Sequence, residues 1–171
     1  VATPAETVVP ELSFHFVVAP LQFEYIQSIM PLGNLNPPAH TFPTDHMYLF
    51  HHVGRENDPQ YDVFAPADGR VTSIERGADD AVYIAASPTH TYYVGHIVLD
   101  PAITFDQPIA AGQRLGTTSP VSHATDLGVL NSGLENAFIN PERYSRNSRQ
   151  AEPPFRYFTD AFKAQLALSL I

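Results

Sequence analysis

Cysteine is absent from the 171 residues, so disulfide staples, thiolate zinc sites and a cysteine nucleophile are excluded. Any metal has to be held by His, Asp or Glu. Bases are scarce: eight arginines and the single Lys163 stand against eighteen acids, a formal net charge of −9. They are dispersed, and no cationic stripe exists to follow a phosphate backbone, which excludes nucleic acid as a main partner. No apolar run approaches the roughly 18 residues of a membrane helix, so no membrane span is expected. Nor does the N-terminal stretch join a basic segment to a hydrophobic core, as a signal peptide does. Charged residues make up 16% of the chain and hydrophobic ones 44%, which suits one packed domain and not a disordered tail.

Turn formers are abundant. Sixteen prolines and nine glycines cut the chain into short pieces, most with β-branched or aromatic residues at period two, which reads as antiparallel β structure. Strands are expected at Leu12–Val18, Asp45–Val53, Val63–Ala65, Arg70–Arg76, Ala81–Ala86, Tyr92–Leu99 and Thr125–Leu130. After Pro153-Pro154 the period changes: Phe155, Phe158, Phe162 and Leu166 recur at three- and four-residue steps, predicting one amphipathic C-terminal helix near Phe155–Leu170. The fold class is therefore mainly β, an antiparallel sheet or sandwich-like domain with a C-terminal helix. Three units are expected: residues 1–10 as a linker-like segment downstream of a removed targeting sequence, 11–150 as the β domain, and 151–171 as the helix packed on it.

The eight histidines are unevenly spread, and His40, His46, His51 and His52 fall within thirteen positions. On a strand over Asp45–Val53, His46, Tyr48, Phe50 and His52 share one face, while Asp45, Met47, Leu49, His51 and Val53 share the other. Met47, Leu49 and Val53 read as core, so parity favours His46 over Asp45 as the partner of His40 at a common metal. Asp45 is then expected beside it, hydrogen-bonding an imidazole. The plain alternative for any one of these residues is an ordinary surface or half-buried histidine.

A second set of segments comes after it: Phe64-Ala65-Pro66-Ala67-Asp68-Gly69-Arg70-Val71, then Tyr92-Tyr93-Val94-Gly95-His96-Ile97, then Ala110-Ala111-Gly112-Gln113-Arg114-Leu115-Gly116, then Asp126-Leu127-Gly128-Val129. That order resembles the lysostaphin/LytM-type zinc metallopeptidases, which cut peptide cross-links of bacterial cell walls, and it covers residues 33 to 144. Phe138 to Tyr144 also looks like the N-P-x-x-Y ending of many members.

The metal motifs depart from the family's. Four residues after His40 stands Thr44 where an Asp is expected, so Asp45 or His46 must serve; Asp126 falls on the last ligand His, and Ala124 on the catalytic His before it, with His123 one residue away. The resemblance implies two His and one Asp on Zn²⁺, and His40, His46 and Asp126 restore that composition in permuted form. His96, on the family's Y-x-H-L strand, and His123 are the implied catalytic histidines. The resemblance thus implies a metalloendopeptidase-like hydrolase acting on peptide or peptidoglycan and exported to the periplasm or exterior of a bacterium. The alternative is a degenerate member, metal-bound or metal-free, working as a binding or regulatory module. A biotin- or lipoyl-carrier reading fails, because a carrier needs a lysine in an exposed hairpin and Lys163 falls in the expected helix. Oligomeric state is left open.

Overall fold

A computed structural model describes residues 12–33, 44–51 and 60–169, with the side chains of 168 and 169 left out. Ten strands form one connected antiparallel sheet: β1 (Ile26–Met30), β2 (Met47–His51), β3 (Asp62–Phe64), β4 (Gly69–Glu75), β5 (Asp80–Ala85), β6 (His90–Leu99), β7 (Pro108–Ile109), β8 (Arg114–Thr118), β9 (Ala124–Asn131) and β10 (Ala151–Glu152). The path across it runs β1-β2-β9-β6-β5-β4-β7, with β10 on β9, and β8 joining β3 to the far end of β6. Among the described residues two α-helices come late in the chain, α1 (Arg146–Gln150) and α2 (Asp160–Ser169). The mainly β, antiparallel class with a C-terminal helix is what the sequence predicts, realised as a single connected sheet.

Alternation on the central strands divides the sheet into a greasy and a polar face. Met47, Leu49, Val82, Ile84, Tyr92, Val94, Leu127 and Val129 are buried in one core cluster. The residues between them point the other way, and in register across four strands they read Tyr48, Asp126, Gly95 and Ala81. One step along lie Gly128, Tyr93 and Tyr83. The core face is covered by Phe16 and Leu21 from the N-terminal stretch and by Tyr157, Phe158, Phe162 and Leu166 from the C-terminal one. Phe158 stacks on Phe162 with ring centroids 4.2 Å apart.

Three expectations need correction. Leu12–Val18 is not a strand but an irregular segment with one bridge, Phe16 to Phe158. Phe16 is fully buried, as its alternation implies, but the backbone N–H groups of Phe16 and Val17 bond the carbonyls of Tyr157 and Pro66 instead of a sheet edge. The C-terminal helix does not begin at Phe155: Pro154–Tyr157 make a 3-10 turn, Phe158 is extended, and α2 starts once the Thr159 hydroxyl accepts the Phe162 N–H at 3.3 Å. The strand expected from Asp45 begins at Met47, and residues 52 and 53 lie outside the described part.

Candidate functional site

Asp126 sits near the start of β9 on the polar face, between Tyr48 of β2 and Gly95 of β6. Small neighbours make room for it. Gly95 presents no side chain, and Ala81 beyond it only a methyl, so the carboxylate lines an open cavity of about 290 Å³ instead of being packed over. His46, Asp45, His96, Asp79 and Tyr93 line the same cavity.

His96 reaches it through a bulge. Ala81 pairs with Gly95 and Asp80 with Ile97, so His96 is the extra residue on β6, with φ at +55°. Such a bulge re-aims one side chain at the cost of local strain. It falls where β6 leaves β9 and takes up β8 as its neighbour. His46 lies one residue before β2, on the face of Tyr48 as parity requires, while Met47 and Leu49 enter the core.

Both imidazoles present Nε2 to the same oxygen: His46 Nε2 and His96 Nε2 each lie 3.3 Å from Asp126 Oδ2. Each also turns Nδ1 to a carboxylate of its own, His46 to Asp45 Oδ1 at 2.7 Å and His96 to Asp79 Oδ2 at 2.7 Å. Asp45 Oδ2 is reached by the hydroxyls of Ser145 and Ser148 at 3.5 and 3.4 Å, which ties the segment around α1 to the site. Asp79 accepts hydrogen bonds from Ser119 and Ser122, and the Ser122 hydroxyl lies 2.8 Å from His96 Nδ1.

These contacts set the charges. Burial pushes the Asp126 carboxyl up to about 6, against the opposing pull of His46 and His96. Burial alone would also raise Asp79, but the two serine hydroxyls and the His96 ring outweigh it and hold Asp79 below the ordinary carboxylate range. For His46, burial favours the neutral ring, yet the hydrogen bond to Asp45 and the charge of Asp126 prevail and raise it.

Of the residues the sequence singles out, His46, Asp126 and His96 come together, and Asp45 takes the supporting position beside His46. His40 lies outside the described residues. His123 is exposed and does not line the cavity; its backbone carbonyl accepts the His51 N–H at 3.2 Å. Ala124 is buried opposite Phe50. Sequence reasoning missed Asp79, Ser119 and Ser122. Their signal is faint, an Asp pair after Gly77 and a Ser-Pro-Val-Ser turn about forty residues away, and only the fold joins them.

Among the described residues no three His, Asp or Glu side chains form a set arranged to hold a metal ion. Two of the expected three donors are nevertheless suited to one. Asp126 Oδ1 is buried and accepts no hydrogen bond among the described residues, and His46 Nε2 is directed at the same carboxylate. A carboxylate and an imidazole whose other nitrogen is held by a second carboxylate are the donor chemistry of zinc sites.

No protein-family profile and no curated protein sequence matches the chain. Solved structures do. Helicobacter pylori Csd3 is similar over 92% of this chain with a TM-score of 0.58 and 14% identity, and the chain covers 40% of the Csd3 chain's length. A chain of the SpoIIQ-SpoIIIAH pore forming complex matches over 85% of this chain and 92% of its own, with a TM-score of 0.55 and 10% identity. The catalytic domain of the antimicrobial peptidase lysostaphin from Staphylococcus simulans matches over 78% of this chain and 91% of its own, with a TM-score of 0.51 and 15% identity. The antiparallel sheet and these similarities give this chain the lysostaphin/LytM-type fold.

Proposed function

We propose that this domain is a zinc-dependent hydrolase of peptide bonds, with peptidoglycan cross-links as its substrate class. One observation carries the reading: the Asp126 carboxylate lies between two imidazoles, each backed by its own carboxylate, at an open cavity on the polar face. Support for the substrate class comes from the fold shared with the antimicrobial peptidase lysostaphin.

His46 Nε2 and the Asp126 carboxylate would hold the metal, with His40 as the third donor. When bound, zinc supplies Lewis acidity toward the scissile carbonyl and lowers the pKa of a coordinated water toward about 7. Asp45 accepts the Nδ1–H of His46, which fixes the tautomer and leaves the Nε2 lone pair for coordination. Asp79 does the same for His96, leaving its Nε2 to take the proton of the attacking water. Once protonated, that imidazolium is stabilised by Asp79, itself held ionised by Ser119 and Ser122. His123, exposed and outside the cavity lining, has no part in this scheme.

The second reading, a binding or regulatory module, is favoured by Ala124 in the place of a family catalytic histidine and by the likeness to a chain of a pore forming complex. A cross-linked wall peptide incubated with the chain, with added zinc or with chelator, separates the two when products are read by mass spectrometry. The hydrolase reading expects zinc-dependent cleavage that His96→Ala lowers by about 10²- to 10⁴-fold. Intact peptide under both conditions favours the binding module. An exported location goes with the substrate proposed; no helix of the described residues is long and apolar enough to cross a membrane.

A further inference from the structure

Beside the 290 Å³ cavity lies a larger one, about 540 Å³, on the same polar face. The two share Glu75, Tyr83 and Asn147 as a common wall. The larger cavity runs along β6 away from the site as far as Thr91, four residues beyond Gly95, or roughly 13 Å at strand rise. That is the length of about four residues of extended peptide.

Its lining is polar in a particular way. Hydroxyls from Thr72, Thr91 and Ser132 and amides from Asn147 and Gln150 suit the backbone of an extended chain. Charge is placed at opposite ends. Glu75 stands in the shared wall next to the site, where burial and then its charge raise the pKa of the Tyr83 hydroxyl, whereas Arg146 lines the larger cavity alone and is the one cation among its described lining residues. Arg146 is exposed, donates Nε–H to Gln150 Oε1 at 3.2 Å, and makes no ion pair among the described residues. In a chain with a net charge of −9, a guanidinium with no acidic partner among the described residues, beside a hydroxyl-lined groove, is placed to meet an anion.

We infer that this larger cavity holds the stretch of substrate beyond the cut bond, and that Arg146 selects a carboxylate carried on that stretch up to about four residues from the site. The inference rests on the peptidase reading for what the neighbouring cavity does. The carboxylate has two sources, a free chain end or an acidic side chain, and Glu75 disfavours either at the end nearest the site.

Binding tests it without turnover. Four peptides of sequence Ala-Gly-Gly-Ala-Glu with an uncharged fluorophore on the N-terminal nitrogen are used: with the free C-terminus, with the C-terminus amidated, with Gln for Glu, and with both changes. Affinity is measured by anisotropy with chelator present, so that nothing is cut. The wild type should hold at least one carboxylate-bearing peptide about tenfold more tightly than the neutral one. The two singly charged peptides tell the sources apart. Arg146→Gln should bring all four to the affinity of the neutral peptide, and Arg146→Lys should keep part of the preference, because it keeps the charge and loses the planar fork. Equal affinities in the wild type, no binding of any peptide, or a preference that survives Arg146→Gln would each overturn the inference. Failure of the peptidase reading shows elsewhere, as zinc-loaded protein that leaves the peptides intact while the carboxylate preference stands.

Discussion

Asp79 and His96, seventeen positions apart in the chain, meet with Asp79 Oδ2 2.7 Å from His96 Nδ1. The bulge in β6 turns the ring out, and two serines from the β8–β9 connection close on the carboxylate from the far side. Asp79→Asn keeps the shape but removes the charge that fixes the His96 tautomer. It should lower kcat by about 10- to 100-fold with little change in KM, as read in steady-state kinetics on a wall peptide.

The hydroxyls of Ser119 and Ser122, together with the His96 ring, make stability depend on pH through Asp79. Asp79 has a lowered pKa in the folded chain, so its contribution is fully present above the unfolded value of about 3.9 and is lost as the pH falls through the lowered one. Thermal melts of wild type and Asp79→Asn should therefore differ most at neutral pH and converge in acid below that range. A gap that widens on acidification would contradict this sign.

Asp126 carries the metal proposal. Asp126→Ala should lower zinc affinity by more than about 100-fold, measured by competition with a chelating dye, and Asp126→His should recover part of the loss by restoring a nitrogen donor. Full zinc retention in Asp126→Ala would remove this residue from the ligand set.

Gly128 lies under the ring of Tyr93, and an added Cβ would stand 2.1 Å from Tyr93 Cε1. Since Tyr93 is buried, the ring cannot simply swing away. Gly128→Ala should cost about 1–3 kcal/mol in denaturant unfolding. Adding Tyr93→Ala should give a double variant less destabilised than the two single losses summed.

How much of this was legible in the sequence depends on how local each signal is. Alternation in Ala81–Ala86, Tyr92–Leu99 and Thr125–Leu130 marked β5, β6 and β9 to within two residues, because each packs one face into the core and leaves the other open. β1 was not legible: Ile26, Ile29 and Met30 break the alternation, and its pairing with β2 slips between Ile26 and Ser28. Nor was β8, with Gly116 beneath the Val98 carbonyl and polar Thr117 and Thr118 in its run. At the site, His46 and Asp126 emerged from parity and motif order. Asp79 did not, since its partner is set by a bulge and by long-range pairing, neither of which leaves a short-range pattern.

The proposed zinc-dependent hydrolytic site of His46, Asp126 and His96 is tested by cleavage of a cross-linked wall peptide by metal-free chain titrated with zinc, with metal content read on the same samples. Zinc content should rise to one ion per chain together with cleavage, and both should be lost in Asp126→Ala. A folded chain that takes up no zinc and leaves the peptide intact at every zinc level would contradict it.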